Sequence, residues 1–186
     1  MKVFIAGARA ISKLNKDVQE RLSNISSNQI TVLVGDANGI DKAVQQFFND
    51  TNYRDVLVYA MKGKPRNNIG NWSVEPVEAS NNEKGFDYYI IKDVKMAEDA
   101  DYGFMIWNGK SKGTLNNIIN LTNLGKKTLV YLMPEKKFYT ILNMDEANNL
   151  IKRCGSNILE IANNLKSSPI QITFESIIQN RPTIRS

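Results

Sequence analysis

The sequence predicts an α/β fold: an open, mainly parallel sheet with helices on both faces, followed by a small C-terminal α/β extension. Three observations carry this. Short apolar runs alternate with segments of helical period along residues 1–133. The runs are continuously apolar, as in strands buried on both faces of a parallel sheet. Three of the joints from strand to helix hold glycine and other small residues, at 7–10, 35–41 and 109–113. Such alternation implies βαβ crossovers, which place those joints along one edge of the sheet.

Taken in order, residues 2–6 form a first strand that ends at Gly7, and Gly7-Ala8-Arg9-Ala10 is a turn. Residues 15–22 have helical composition, with Val18 and Leu22 four apart. Residues 29–34, rich in β-branched side chains, are a second strand. Gly35-Asp36-Ala37-Asn38-Gly39-Ile40-Asp41 then turns into a helix over 40–48. Asp41 falls in its first turn, where the helix dipole favours a carboxylate; it suits capping and ligand contact equally. A third strand spans 56–61. Residues 62–82 show no period and are expected to be a long loop whose lysines, Arg66 and Trp72 suit a phosphate and a stacked base. A helix over 86–100 leads to a buried strand at 102–107.

Asn108-Gly109-Lys110-Ser111-Lys112-Gly113-Thr114 joins that strand to an amphipathic helix over 115–124. In that helix Leu115, Ile118, Ile119 and Thr122 recur at helical spacing. Gly125 stops the helix, and 128–133 is the next strand. Beyond it, 138–142 is expected as a short strand, 145–153 and 156–165 as helices, 170–174 as a strand, and 177–186 as a polar tail. This divides the chain into a sheet domain at 1–133 and an extension at 134–186 packed on it, suited to oligomer contacts.

Composition bounds the chemistry. The chain has 186 residues, 42% hydrophobic and 23% charged, enough for a full core without staples. There is no histidine, which removes Ser-His and Cys-His catalysis and histidine-ligated metal; no metal or cofactor is expected. The one cysteine, Cys154, allows no intrachain disulfide and fits a reducing, cytoplasmic setting. The first six residues are too short for a secretory signal, and no apolar stretch approaches the ~20 residues that cross a bilayer. A net charge of +5 suits anionic ligands.

The glycine turns point to a ligand. Backbone amides and a helix N-terminus at a strand's carboxyl end form an anion site, and open parallel sheets bind ligands there. Neither Gly-x-Gly-x-x-Gly nor Gly-x-x-x-x-Gly-Lys-Ser/Thr is present, so neither an ordinary dinucleotide fold nor a P-loop is expected. The candidate ligand-binding residues are Gly7, Ala8, Arg9, Gly35, Asp36, Ala37, Gly39, Asp41, Lys92, Asn108, Gly109, Lys110, Ser111, Lys112, Gly113 and Thr114.

Gly7-Ala8-Arg9, the 35–41 motif, the helix around Lys92 and Met96, and 109–114 together resemble the SLOG superfamily. That group joins the Smf/DprA DNA-processing proteins with the lonely-guy phosphoribohydrolases and is related to nucleoside deoxyribosyltransferases. The resemblance covers about residues 1–133 and implies a Rossmann-like sheet with a nucleotide or nucleotide-derived ligand at its carboxyl edge. It matches Gly113-Thr114 to the lonely-guy phosphate turn, Lys92 to that family's catalytic arginine, and Asn116 to its catalytic glutamate. An amide serves neither as nucleophile nor as general base. The resemblance therefore favours a nucleotide-binding or sensory protein and leaves enzymatic activity open. The alternatives are a nucleotide N-glycosidic-bond enzyme using another carboxylate (Asp36, Asp41, Asp87, Asp99 or Asp101) and a single-stranded nucleic-acid binder using Lys62, Lys64, Arg66, Trp72 and Trp107.

Overall fold

The computed structural model describes residues 1–78 and 85–166, the side chains of Phe86 and Asp87 excepted. Among the described residues seven strands form one sheet: β1 (Lys2–Gly7), β2 (Thr31–Val34), β3 (Val56–Met61), β4 (Ser73–Val77), β5 (Tyr102–Trp107), β6 (Thr128–Leu132) and β7 (Lys137–Ile141). Their order is β4-β3-β2-β1-β5-β6-β7. All pairings are parallel except β6 with β7. The chain builds outward from β1 to one side and then, from β5, to the other, so strand order reverses between β1 and β5. This is the Rossmann-like α/β architecture expected.

Among the described residues six α-helices cover the sheet: α1 (Lys16–Ser27), α2 (Ile40–Asp50), α3 (Gly85–Asp99), α4 (Lys112–Asn123), α5 (Met144–Arg153) and α6 (Ser156–Lys166). Helices α1 and α2 bury Val18, Leu22, Ile25, Val44 and Phe48 against Val3, Ile5, Val32, Val34 and Phe104 on one face. On the other, α3 to α6 bury Met96, Leu115, Ile118, Leu121, Leu150 and Ile158 against Phe4, Leu33, Met105 and Trp107. Alternate strand residues thus serve opposite cores, as the continuous apolar runs require. Fully burying one such side chain is worth about 1.5–3 kcal/mol. Gly103 is small for a packing reason, because a Cβ there would lie 2.3 Å from Leu121 of α4.

Helix starts follow local chemistry. Asn15 caps α1 by accepting from the Val18 N–H, and Asn143 caps α5 by accepting from Glu146. Glu146 in turn accepts from the Leu142 N–H, one residue before the cap, which ties the incoming chain to the first turn of α5. At the far end of α3, the Lys126 ammonium donates to the carbonyls of Ala97 and Glu98, neutralising the negative helix end.

One element departs from expectation. The stretch 62–82 is not simply a loop, since it contains β4. That strand is short, half-exposed and interrupted by Pro76, features tolerated only at a sheet edge and nearly without a hydrophobic signature. At the opposite edge β7 runs antiparallel, after a single 3-10 turn at Met133–Glu135 and Lys136 at φ 49°. The extension therefore joins the same sheet through β7, while α5 and α6 pack on α4. The strand expected at 170–174 and the tail at 177–186 lie outside the described residues. Among the described residues no helix is long and apolar enough to cross a membrane.

Candidate functional site

The turns after β1, β2 and β5 open into one cavity of about 580 Å³ at the carboxyl edge of the sheet, where strand order reverses. Such crevices are where open α/β sheets bind ligands, and the volume falls in the small-molecule range. Of the residues singled out from sequence, Gly7, Ala8, Arg9, Ala37, Asp41, Lys92, Asn108, Lys110, Ser111, Gly113 and Thr114 line it. Gly35, Asp36, Gly39, Gly109 and Lys112 are not among the lining residues.

Packing explains the glycines. Gly39 has φ +84°, and a Cβ there would lie 2.4 Å from the Arg9 carbonyl oxygen. The β2–α2 turn is pressed onto the β1 turn, and only glycine permits both the dihedral and the approach. A Cβ on Gly7 would lie 2.5 Å from the Ile106 carbonyl oxygen, which already accepts from the Ala8 N–H at 3.2 Å.

The 108–114 turn spends several of its amides on itself. Asn108 Oδ1 accepts from the N–H groups of Lys110 and Ser111, at 3.0 and 2.8 Å. Ser111 caps α4 by accepting from the Thr114 N–H, and its carbonyl accepts from Trp107 Nε1. The expected cradle of backbone donors is thus narrower than the sequence suggested. What faces the cavity here is the first turn of α4 at Ser111, Gly113 and Thr114, with Lys110 exposed beside it. A Cβ built on Gly113 meets nothing within 4 Å, so this wall is open.

Behind the cavity lies a buried charge cluster. Asp36, 3% exposed, accepts from Lys92 Nζ at 2.8 Å and from Arg66 Nη2 at 2.7 Å. Arg66 adds its Nε and its backbone N–H to the other Asp36 oxygen. Burial alone would raise the Asp36 pKa; Arg66 and Lys92 outweigh it and hold the carboxyl well below the usual carboxylate range. Asp36 is therefore a structural counter-ion. Asp41 behaves oppositely: burial, reinforced by Asp93 and Asp36 and opposed by Lys92, pushes it up to about 6. Its Oδ2 accepts from the Ala37 N–H at 3.2 Å, so it fastens its own turn while also lining the cavity.

Asp93 and Tyr89, both on α3, also line the cavity, and sequence reasoning missed them as site residues. Burial pushes the Asp93 carboxyl up, opposed by Lys92, by a hydrogen bond from Asn117 and by Arg9. Tyr89 carries two guanidinium groups over its ring, Arg9 at 5.4 Å and Arg66 at 4.9 Å from the centroid. The signals were modest but present: Asp93 adjoins Lys92, and Asn117 stands four residues after Gly113, on the same helix face.

Other candidates are placed elsewhere. Asp99 accepts from Tyr59 Oη and Lys95, and Asp101 accepts from the Lys2 N–H at the start of β1. Both sit at the amino edge of the sheet, opposite the cavity. The side chain of Asp87 lies outside the described residues. Asn116 is buried but does not line the cavity. Trp72, 7% exposed, donates Nε1 to the Tyr53 carbonyl, and Trp107 is wholly buried. Neither ring is open to a base.

No family model matches the chain, and no curated protein matches it. Among solved structures it resembles DNA processing protein A from Helicobacter pylori, described for its single-stranded DNA binding mode. The identity is 13%, the TM-score 0.54, and the match covers 89% of this chain and 80% of that one. This likeness shows the fold. It also agrees with one of the two protein groups named in the sequence resemblance, at the level of architecture.

Proposed function

We propose that this chain binds a nucleotide or a nucleotide-derived phosphorylated molecule in the cavity between β1 and β5. The convergence of three separate strand-to-helix turns on that cavity carries the reading. Arg9, Lys110 and the first turn of α4 supply positive potential for a phosphate. Tyr89, half-buried beside them, holds the Arg9 and Arg66 guanidinium groups over its ring and so positions Arg9 in the cavity wall. Asp41 and Asp93 are the cavity carboxylates available if the ligand is also cleaved, a reaction that would release free base.

Calorimetric titration with nucleoside monophosphates and with inorganic phosphate tests this. Lys110→Ala combined with Thr114→Ala is expected to weaken binding about tenfold or more, the scale of losing charge-assisted contacts. Unchanged affinity removes the site. Chromatography of the same mixtures for free base separates binding from turnover.

A second reading follows from the structural neighbour, which binds single-stranded DNA. Such binding rests on a basic groove with stacked aromatics and falls steeply with salt. The burial of Trp72 and Trp107 argues against an aromatic platform of that kind. Oligonucleotide affinity measured across a salt series decides between the readings.

A further inference from the structure

Part of the cavity wall is acidic. Asp41 opens α2 and Asp93 sits on α3, and both line the cavity. Asp41 is 8% exposed, and its Oδ2 is taken by the Ala37 N–H at 3.2 Å. Its Oδ1 accepts from no described residue, yet it is not among the orphaned atoms sealed away from solvent. This nearly buried carboxylate therefore keeps one accessible acceptor oxygen in a residue of the cavity wall. Asp93 is half-buried in the same wall. The nearest cation is committed elsewhere. A Cβ built on Gly35 would lie 2.4 Å from Asp41 Oδ2 and 2.9 Å from Lys92 Nζ, so the two groups flank one point. Lys92 nevertheless pairs with Asp36 at 2.8 Å, as Arg66 does at 2.7 Å. Among the described residues neither Asp41 nor Asp93 is in an ion pair. A buried acceptor without a donor is a standing cost and marks a place where a donor belongs. A phosphate is repelled from two carboxylates and is left to Lys110 and the first turn of α4. A cationic donor would meet Lys92 close by, whereas a neutral hydroxyl would not.

We propose that Asp41 and Asp93 hold the sugar hydroxyls of the guest, so that the site selects a ribonucleotide over its 2′-deoxy counterpart. The inference rests on the nucleotide reading above and narrows it. The 2′ and 3′ hydroxyls of ribose are adjacent neutral donors, and ionised carboxylates only accept. Dinucleotide-binding α/β sheets likewise set a carboxylate against the ribose 2′-hydroxyl. Removing that hydroxyl leaves one carboxylate of the wall without its donor. Base and phosphate are common to both members of such a pair and contribute nothing to the choice.

The test uses the full chain at neutral pH and two matched pairs, AMP against dAMP and CMP against dCMP, titrated by calorimetry. The ribo member is expected to bind about tenfold tighter or more, the scale of leaving a buried acceptor unsatisfied. Asp93→Ala should shrink that ratio towards one. Asp41→Asn should narrow it independently, because a neutral acceptor replaces a charged one. A tenfold ribo preference in either pair, narrowed by either variant, sustains the proposal. A smaller ratio in both pairs, or a deoxy preference, overturns it and leaves nucleotide binding standing. A ribo preference that both variants keep in full overturns the assignment to these carboxylates. Absence of binding by all four removes the nucleotide reading, and this inference with it.

Discussion

Replacing Asp41 by asparagine should stabilise the protein at neutral pH, although it removes a buried side chain's charge from beside a lysine. Asp41 is 8% exposed, and its pKa rises from 3.8 to about 6. Between those pH values the folded chain holds a proton that the unfolded chain has released. Stability therefore falls as pH rises through this window, and above pH 6 the full cost is present. At about 1.4 kcal/mol per pH unit, the interval corresponds to about 3 kcal/mol. Asparagine carries no charge at any pH and keeps an oxygen for the Ala37 N–H. Urea unfolding of both proteins across a pH series should show near-equal stability at about pH 4, with the variant gaining up to about 3 kcal/mol by pH 7. Asp36 titrates in the opposite sense, since its stabilisation is present above the unfolded pKa and lost on acidification, but it is common to both proteins and cancels in the difference. A difference that is flat with pH, or that favours wild type as pH rises, refutes the reasoning.

The neighbouring aspartate gives the converse result. Asp36→Ala leaves the Lys92 ammonium buried without its 2.8 Å partner and is expected to cost about 3–5 kcal/mol in denaturant unfolding at neutral pH. Gly35→Ala places a Cβ 2.4 Å from Asp41 Oδ2 and 2.9 Å from Lys92 Nζ; thermal unfolding should register a loss of about 1–3 kcal/mol. Trp72→Phe removes the Nε1 bond to the Tyr53 carbonyl, costing about 1 kcal/mol, and should leave any oligonucleotide affinity unchanged. Tyr89→Leu should weaken mononucleotide binding severalfold while unfolding at nearly the wild-type denaturant concentration; an unaltered affinity would remove the ring from the site.

Most of the fold was legible because burial dictates it. Strands such as 102–107 are apolar on both faces, and only a covered parallel sheet accepts that. The exception, β4, lies at an edge, where one side meets water and proline is tolerated, so its sequence carries little pattern. The site was half legible. Glycine turns advertise themselves through backbone geometry, and the 7–10, 35–41 and 108–114 turns meet as expected. Which charges face inward is set by tertiary pairing, which spacing along the chain does not encode. Asp36 and Asp41 are five residues apart in one motif, yet one is neutralised by Arg66 and Lys92 and the other stands in the cavity wall. Asn116 and Asn117 are adjacent, and the helix turns only the second into the cavity.

The self-bonded turn at Asn108 has a thermodynamic corollary. A loop that already holds its own N–H groups keeps its shape before any guest arrives, so association need not freeze it. The entropy of docking should then reflect the guest's lost freedom and little of the protein's. Asn108→Ala would release Lys110 and Ser111 from that restraint, and the expected signature is a more negative binding entropy with a heat of association changed in the opposite, partly compensating sense.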